Sequence, residues 1–456
     1  MIRRFPLVGL LLATLLPLVP LAQADETTPA DAVTPSLPTA PSNRPVAWGL
    51  DNGMTVVLME NHANPMVAVR LLLPAGASRE PEGQAGLAAL TEALLWEGSH
   101  DHPGLELMQA FESLGIRANG GVGRDTTTVS VTALSREGGQ AMALLAETVG
   151  TPNFDPADVD RIKGDLGAAR RKSLEDPDTE AAMLFRAQLF AGHPYAHDPD
   201  GTVEGIAARS RDEIVAFHNR FYTPQGAVLV VAGDVDRPTL DQWLAPLDGW
   251  KGPLVAPIPR LPNWSKPQAQ TATRDLSQST ILMGFLTIDR GDPDYPALYV
   301  ANYILGGGGF TSRILHEIRE KRGLAYSAYS YLTGGNAGGA FIAGAQTKNA
   351  TRDEATALLR REIVRMAADG PSQEEFDAAI RYLTGSFPVQ MDTLSKVADR
   401  IAVDQFQGLG ADGPWRFLEQ IRALTLDQVR AVARKHFHPD QIVAITVGGT
   451  VAPSTP

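Results

Sequence analysis

The sequence predicts an α+β protein built from two homologous halves of about 200 residues each. Three observations carry that reading. Two apolar strands, AVLVVA at 227–232 and IVAITV at 442–447, each run straight into a glycine and close stretches of similar length. Between them, residues 250–270 hold five prolines and no apolar period, as an interdomain linker would. Helical and strand-like periods are mixed, with long helical hairpins between strands, which favours layers of helix and sheet over a doubly wound parallel sheet.

The elements follow in order. Arg3 and Arg4 precede an apolar run from Leu7 to Leu21, and Ala22-Gln23-Ala24 supplies a small-x-small cleavage pattern. Residues 1–24 therefore read as an export signal cleaved after Ala24, and the periplasm as the destination. Residues 25–44, rich in Pro, Thr, Ser and Ala, read as a disordered tether. The first half spans 45–250, the linker 251–270 and the second half 271–450. Strands are predicted at 54–59 and 66–73, and the Asn52-Gly53 turn signal suggests that they open as a hairpin. A short helix covers 86–96. A strand covers 127–134, where Val129, Val131 and Ala133 alternate with polar residues. Helices are predicted at 137–149, from Pro156 to about Leu174 with Asp155 as its cap, and at 180–190. In the second half, strands are predicted near 280–285, 324–332 and 339–345, and helices at 296–305, 311–321, 351–369 and 373–385.

Composition removes several function classes. There is no cysteine, so disulfides, thiolate metal sites and a cysteine nucleophile are excluded. The formal charge is −12, and nearer −14 without the first 24 residues, which argues against a nucleic-acid surface. No later stretch has the 18 consecutive apolar residues of a membrane helix. Gly306–Gly309 is a glycine run without the Gly-Lys-Ser/Thr of a phosphate loop, and it fits a flexible segment close to peptide backbone better. No Gly-x-Ser-x-Gly elbow marks a serine hydrolase.

The segment 86–99, GLAALTEALLWEGS, resembles the zinc-site helix of the pitrilysin/insulinase (M16) metallopeptidases. That family carries an inverted motif, His-x-x-Glu-His. Its frame is present as Gly86-Leu87-Ala88 and Gly98-Ser99, and its general-base glutamate falls on Glu92. Its two histidines fall on Ala89 and Ala93, and its third ligand, a glutamate, on Ala169. A methyl group has no electron pair to give a metal, so the motif is degenerate and this chain is expected to bind no metal. Glu92 then reads either as an ordinary helix acid or as a contact for a substrate amine or a partner's basic group. The histidine pairs 100/102, 193/197 and 436/438 read as surface or supporting residues rather than replacement ligands.

The segment 306–331, GGGGFTSRILHEIREKRGLAYSAYSY, also resembles the family. There an arginine and a tyrosine seven residues apart reach into a zinc site in the other half or another subunit. They map onto Arg319 and Tyr326. A guanidinium and a phenol are fixed donors for a carbonyl oxygen that gathers negative charge. The resemblance implies two mixed domains in the M16 (LuxS/MPP-like) arrangement. It also implies a non-zinc subunit that contributes Arg319 and Tyr326 to peptide hydrolysis. The implied partner is an exported homologue with intact His-x-x-Glu-His that brings the zinc. The other reading left open is a catalytically inactive homodimer that binds peptides or acts as a scaffold. Neither reading involves nucleic acid or stable membrane insertion.

Overall fold

A computed structural model describes residues 44–262 and 264–450. The expected export signal and all of the expected tether before Arg44 lie outside the described residues.

The first half is built on six strands: β1 (Val46–Gly49), β2 (Thr55–Glu60), β3 (Met66–Leu73), β4 (Arg117–Val122), β5 (Thr127–Leu134) and β6 (Val228–Gly233). Their order is β1-β2-β6-β3-β5-β4. β6 runs parallel to β2, and every other pairing is antiparallel. The second half has β7 (Gln268–Thr273), β8 (Gln278–Thr287), β9 (Ala325–Gly335), β10 (Gly338–Lys348) and β11 (Val443–Gly448), in the order β7-β11-β8-β10-β9. β11 is parallel to β7 and the rest are antiparallel. Without β1 the two orders superpose strand for strand: β2 answers to β7, β6 to β11, β3 to β8, β5 to β10 and β4 to β9. The duplication visible in the strand-glycine endings is thus a duplication of topology.

The expected hairpin between the strands at 54–59 and 66–73 does not form. β6 lies between β2 and β3, parallel to one and antiparallel to the other. The Asn52-Gly53 turn is real, with Gly53 at φ +90°, but it joins β1 to β2. A turn signal marks a reversal; it does not say which strand becomes the partner.

Each half lends a helix to the other. The helix Leu394–Phe406 of the second half lays Ala398, Ile401 and Ala402 on Val57, Ala68, Val228 and Val230 of the first sheet. The helix Pro177–Leu189 of the first half packs Ala181, Phe185 and Leu189 on Leu282, Leu286, Ile342 and Ile445 of the second. The opposite faces hold the main cores, with Leu229 and Val231 in one and Met283 and Phe285 in the other. This explains why AVLVVA is apolar without alternation: both faces of β6 are covered. β5, at the side of the sheet, keeps the alternation, with Val129, Val131 and Ala133 buried. Each large aliphatic side chain so buried stabilises the fold by about 1.5–3 kcal/mol. Arg70 of β3 is buried in the same seam and is ion-paired to Asp399 of the visiting helix.

Asp155 caps the helix Pro156–Ser173 by accepting from the Ala157 N–H at 2.8 Å. The expected helix at 311–321 is broken instead. A 3₁₀ turn (Gly309–Thr311), one α-turn (Arg313–Leu315) and a π-helical turn (His316–Glu320) replace it, and another π turn covers Tyr303–Gly307. β7 starts at Gln268, inside the stretch read as linker.

Candidate functional site

In the first half, the helix Leu87–Leu94 buries Leu87, Leu90 and Leu94 and turns Ala89, Glu92 and Ala93 the other way. Its start is fixed by Gly86 at φ +92°, where a side chain would strike Ile206, and by Glu80. Glu80 Oε1 accepts from the Gly86 and Ala88 N–H groups at 3.0 and 2.9 Å. Burial pushes the Glu80 carboxyl up to about 8 against these bonds.

Glu92 is half-buried, and its Oε1 accepts from the Trp96 indole N–H at 2.8 Å. It lies on β4 at Gly120, where a Cβ would stand only 2.2 Å from that oxygen. Burial raises the Glu92 carboxyl, and the Trp96 bond opposes the rise. The buried Tyr222 hydroxyl is pushed up by burial and, to a lesser degree, by the Glu92 charge. Glu92 is therefore neither a free surface acid nor open to a ligand on all sides.

Ala169 sits exposed on the helix Pro156–Ser173. Its neighbour Arg170 is buried against Asp198 at 2.7 Å, and Asp165, one turn back, faces Arg161 at 3.7 Å. His193 and His197 hold separate backbone carbonyls, those of Pro259 and Ala77. His102 meets Glu147 at 2.8 Å and His436 meets Asp294 at 2.9 Å. Among the described residues, no group of three or more His, Asp or Glu side chains could hold a metal ion.

The second half presents the opposite situation. Glu317 takes Lys321, Arg322 at 2.8 Å and Arg361 at 3.0 Å. Lys321 first and then Arg322 bring its carboxyl down to about 2 against the opposing effect of burial. Arg313 is clamped by Glu375. The π turn is thereby pinned from below, and Gly323 at φ +62° closes it into β9. Arg319, two residues after Glu317, is left over. Among the described residues, no carboxylate lies within 4 Å of its guanidinium, and its side chain makes no hydrogen bond. Its Cζ rests 4.5 Å from the centre of the Tyr326 ring and 5.0 Å from that of Phe310. Tyr326 is 82% exposed and Phe310 66%. The Arg319 guanidinium thus lies over the Tyr326 ring at the start of the edge strand β9. Phe310, which the sequence reading passed over, completes the stack; its only signal was its place directly after four glycines.

Residues 55–197 match the domain family Insulinase (Peptidase family M16), and residues 209–383 match Peptidase M16 inactive domain. The fold is similar to the crystal structure of a peptidase M16 inactive domain from Pseudomonas fluorescens. That likeness has a TM-score of 0.85 and 32% identity, and covers 90% of this chain and 98% of the other. The chain belongs to the M16 peptidase family. Among curated relatives, a protein of Helicobacter pylori named non-peptidase homolog YmxG is 26% identical over 390 residues, 84% of this chain and 88% of its own length. An uncharacterized zinc protease of Mycobacterium leprae is 28% identical over 394 residues, 85% of this chain and 88% of its own.

Set against the M16 zinc motif, this chain does not fit the metal. The positions that the resemblance assigns to the three ligands, Ala89, Ala93 and Ala169, carry methyl groups, and Glu92 is bonded to an indole. A carboxylate alone cannot close a zinc coordination sphere.

Proposed function

We propose that this M16 chain is the non-zinc subunit of a two-chain periplasmic peptidase. A homologous exported partner with intact His-x-x-Glu-His brings the metal and the general base. This chain brings Arg319 and Tyr326, which donate to the carbonyl oxygen of the peptide bond being cut. The observation that carries the reading is the unpaired guanidinium. Every neighbouring cation on its turn has a carboxylate, while Arg319 is held out by aromatic rings with its in-plane N–H groups free. A half-buried arginine kept from ion pairs retains its donors for an incoming acceptor. The degenerate first-half site supports the division of labour, because hydrolytic water must then be prepared elsewhere. The export pattern of residues 1–24 supports the periplasm.

The test is to purify the chain alone and with the exported homologue, then measure zinc content and cleavage of an internally quenched peptide. Cleavage is expected only for the pair. Arg319→Ala and Tyr326→Phe should lower turnover with zinc content unchanged. Unchanged turnover in both variants would remove their role. The name of the Helicobacter relative favours a second reading, an inactive peptide-binding or scaffold homodimer. A homodimer that binds peptide and forms no complex with the intact homologue would decide for it.

A further inference from the structure

We propose that Phe310 is a positioning residue for Arg319, and that the glycine run before it is a packed device that puts it there. Phe310 is an aromatic side chain two-thirds in water. Burial does not account for its place, and its ring lies against the one guanidinium of the segment that meets no carboxylate among the described residues. The rings of Phe310 and Tyr326 each lie near the Arg319 guanidinium, at 5.0 and 4.5 Å. An arginine side chain free in water samples many rotamers. One held by rings keeps few of them, and its N–H edge stays available for a carbonyl.

The glycines explain how Phe310 arrives. A glycine run is expected to be flexible, but three of these four are packed. A Cβ at Gly306 would stand 2.4 Å from the Ser330 amide nitrogen of β9. One at Gly307 would stand 3.1 Å from the Asn302 side-chain amide, and one at Gly308 would stand 3.0 Å from the Tyr303 ring. The backbone thus passes hard against β9 at Gly306 and against Asn302 and Tyr303 at Gly307 and Gly308. Gly309 meets nothing within 4 Å but takes φ +58°, the left-handed turn that redirects the chain outward. The next residue is Phe310. Close approach followed by a left-handed turn sets its ring beside the start of the edge strand, where Tyr326 stands.

This inference rests on the reading that Arg319 donates to a peptide carbonyl, and its experiment separates the two. In the lone chain, the ¹⁵Nε–Hε resonance of Arg319, assigned by its loss in Arg319→Ala, reports ring-current shift and rotation about Nε–Cζ. Phe310→Ala should move that resonance toward the value of an unstructured arginine and speed the rotation, while Phe310→Tyr should keep both. The thermal midpoint should hardly change in either variant, since the side chain is mostly exposed. In the two-chain peptidase, Phe310→Ala should lower kcat roughly ten- to a hundredfold with KM little changed, and Phe310→Tyr should restore it. An Arg319 resonance unmoved by Phe310→Ala overturns the positioning role, whatever Arg319→Ala does. A moved resonance with unchanged kcat, where Arg319→Ala does lower kcat, also overturns it. If Arg319→Ala leaves turnover intact, the donor reading fails instead, and the resonance still decides whether Phe310 holds Arg319 in place.

Discussion

The helix Leu87–Leu94 with β4 and the turn at 306–320 with β9 are built on equivalent edges of duplicated sheets, yet they have gone opposite ways. Both edge strands follow a glycine in the left-handed region, Gly115 at φ +65° and Gly323 at φ +62°. Four residues before Gly115 stands Phe111, buried against the core; four before Gly323 stands Arg319, held out between exposed rings. In the first half Glu92 is tied down by Trp96, and its neighbours Ala89 and Ala93 carry only methyl groups. In the second, Arg313, Lys321 and Arg322 each meet a carboxylate, and among the described residues Arg319 meets none. Duplication fixes where a site can be; whether chemistry remains there depends on which polar groups are left without internal partners.

The strongest way to break this comparison is Arg319→Ala in the proposed two-chain peptidase. Turnover should fall about a hundred- to a thousandfold, the size seen when one transition-state donor is lost, with zinc content constant by elemental analysis. A smaller effect is expected at the acid beneath each site. Glu317→Ala should cost about 1–3 kcal/mol in urea unfolding, because it frees three cations from one carboxylate. Its wild-type carboxyl is depressed to about 2, so the stability it contributes is present above the ordinary carboxylate range. That stability should be lost as pH falls from about 4.5 toward 2. Glu80 has the reverse sign. Its carboxyl is raised to about 8, so the folded state holds a proton that the unfolded chain releases. Stability should therefore decline as pH rises from about 4.5 to 8, and Glu80→Gln should flatten that decline in pH-dependent unfolding curves. The smallest effect is at Glu92: Trp96→Phe removes a bond that opposes burial, so the Glu92 carboxyl should titrate higher still, read by ¹³C NMR.

Much of this was legible from residue order. The alternation in 127–134, the Asp155 cap and the two strand-glycine endings each report local physics, and the structure follows them. The pairing of β2 was not legible, because β6 enters the sheet from far along the chain and displaces the local neighbour. The edge strand β4, RANGGV, has no apolar period to detect, since Gly120 is shaped by contact with Glu92 and Trp96. The exchanged helices were hidden too: an apolar stripe states that a face is covered but not by which sheet. At the first site, the expectation that Ala89, Ala93 and Ala169 stand at ligand positions comes from the motif's frame in the sequence. That Arg319 has no carboxylate among the described residues could not be read there, because its segment holds Glu317 and Glu320, and only the folded turn gives Glu317 to Lys321 and Arg322 and sets Glu320 against His316. Phe310 needed the packed path of its glycines.

The most direct measurement is metal content and peptide cleavage of the purified chain by itself after equilibration with zinc. The account predicts far less than one equivalent of bound zinc and no cleavage until the intact homologue is added. One equivalent of tightly held zinc, with cleavage by the lone chain that a chelator abolishes, would contradict it.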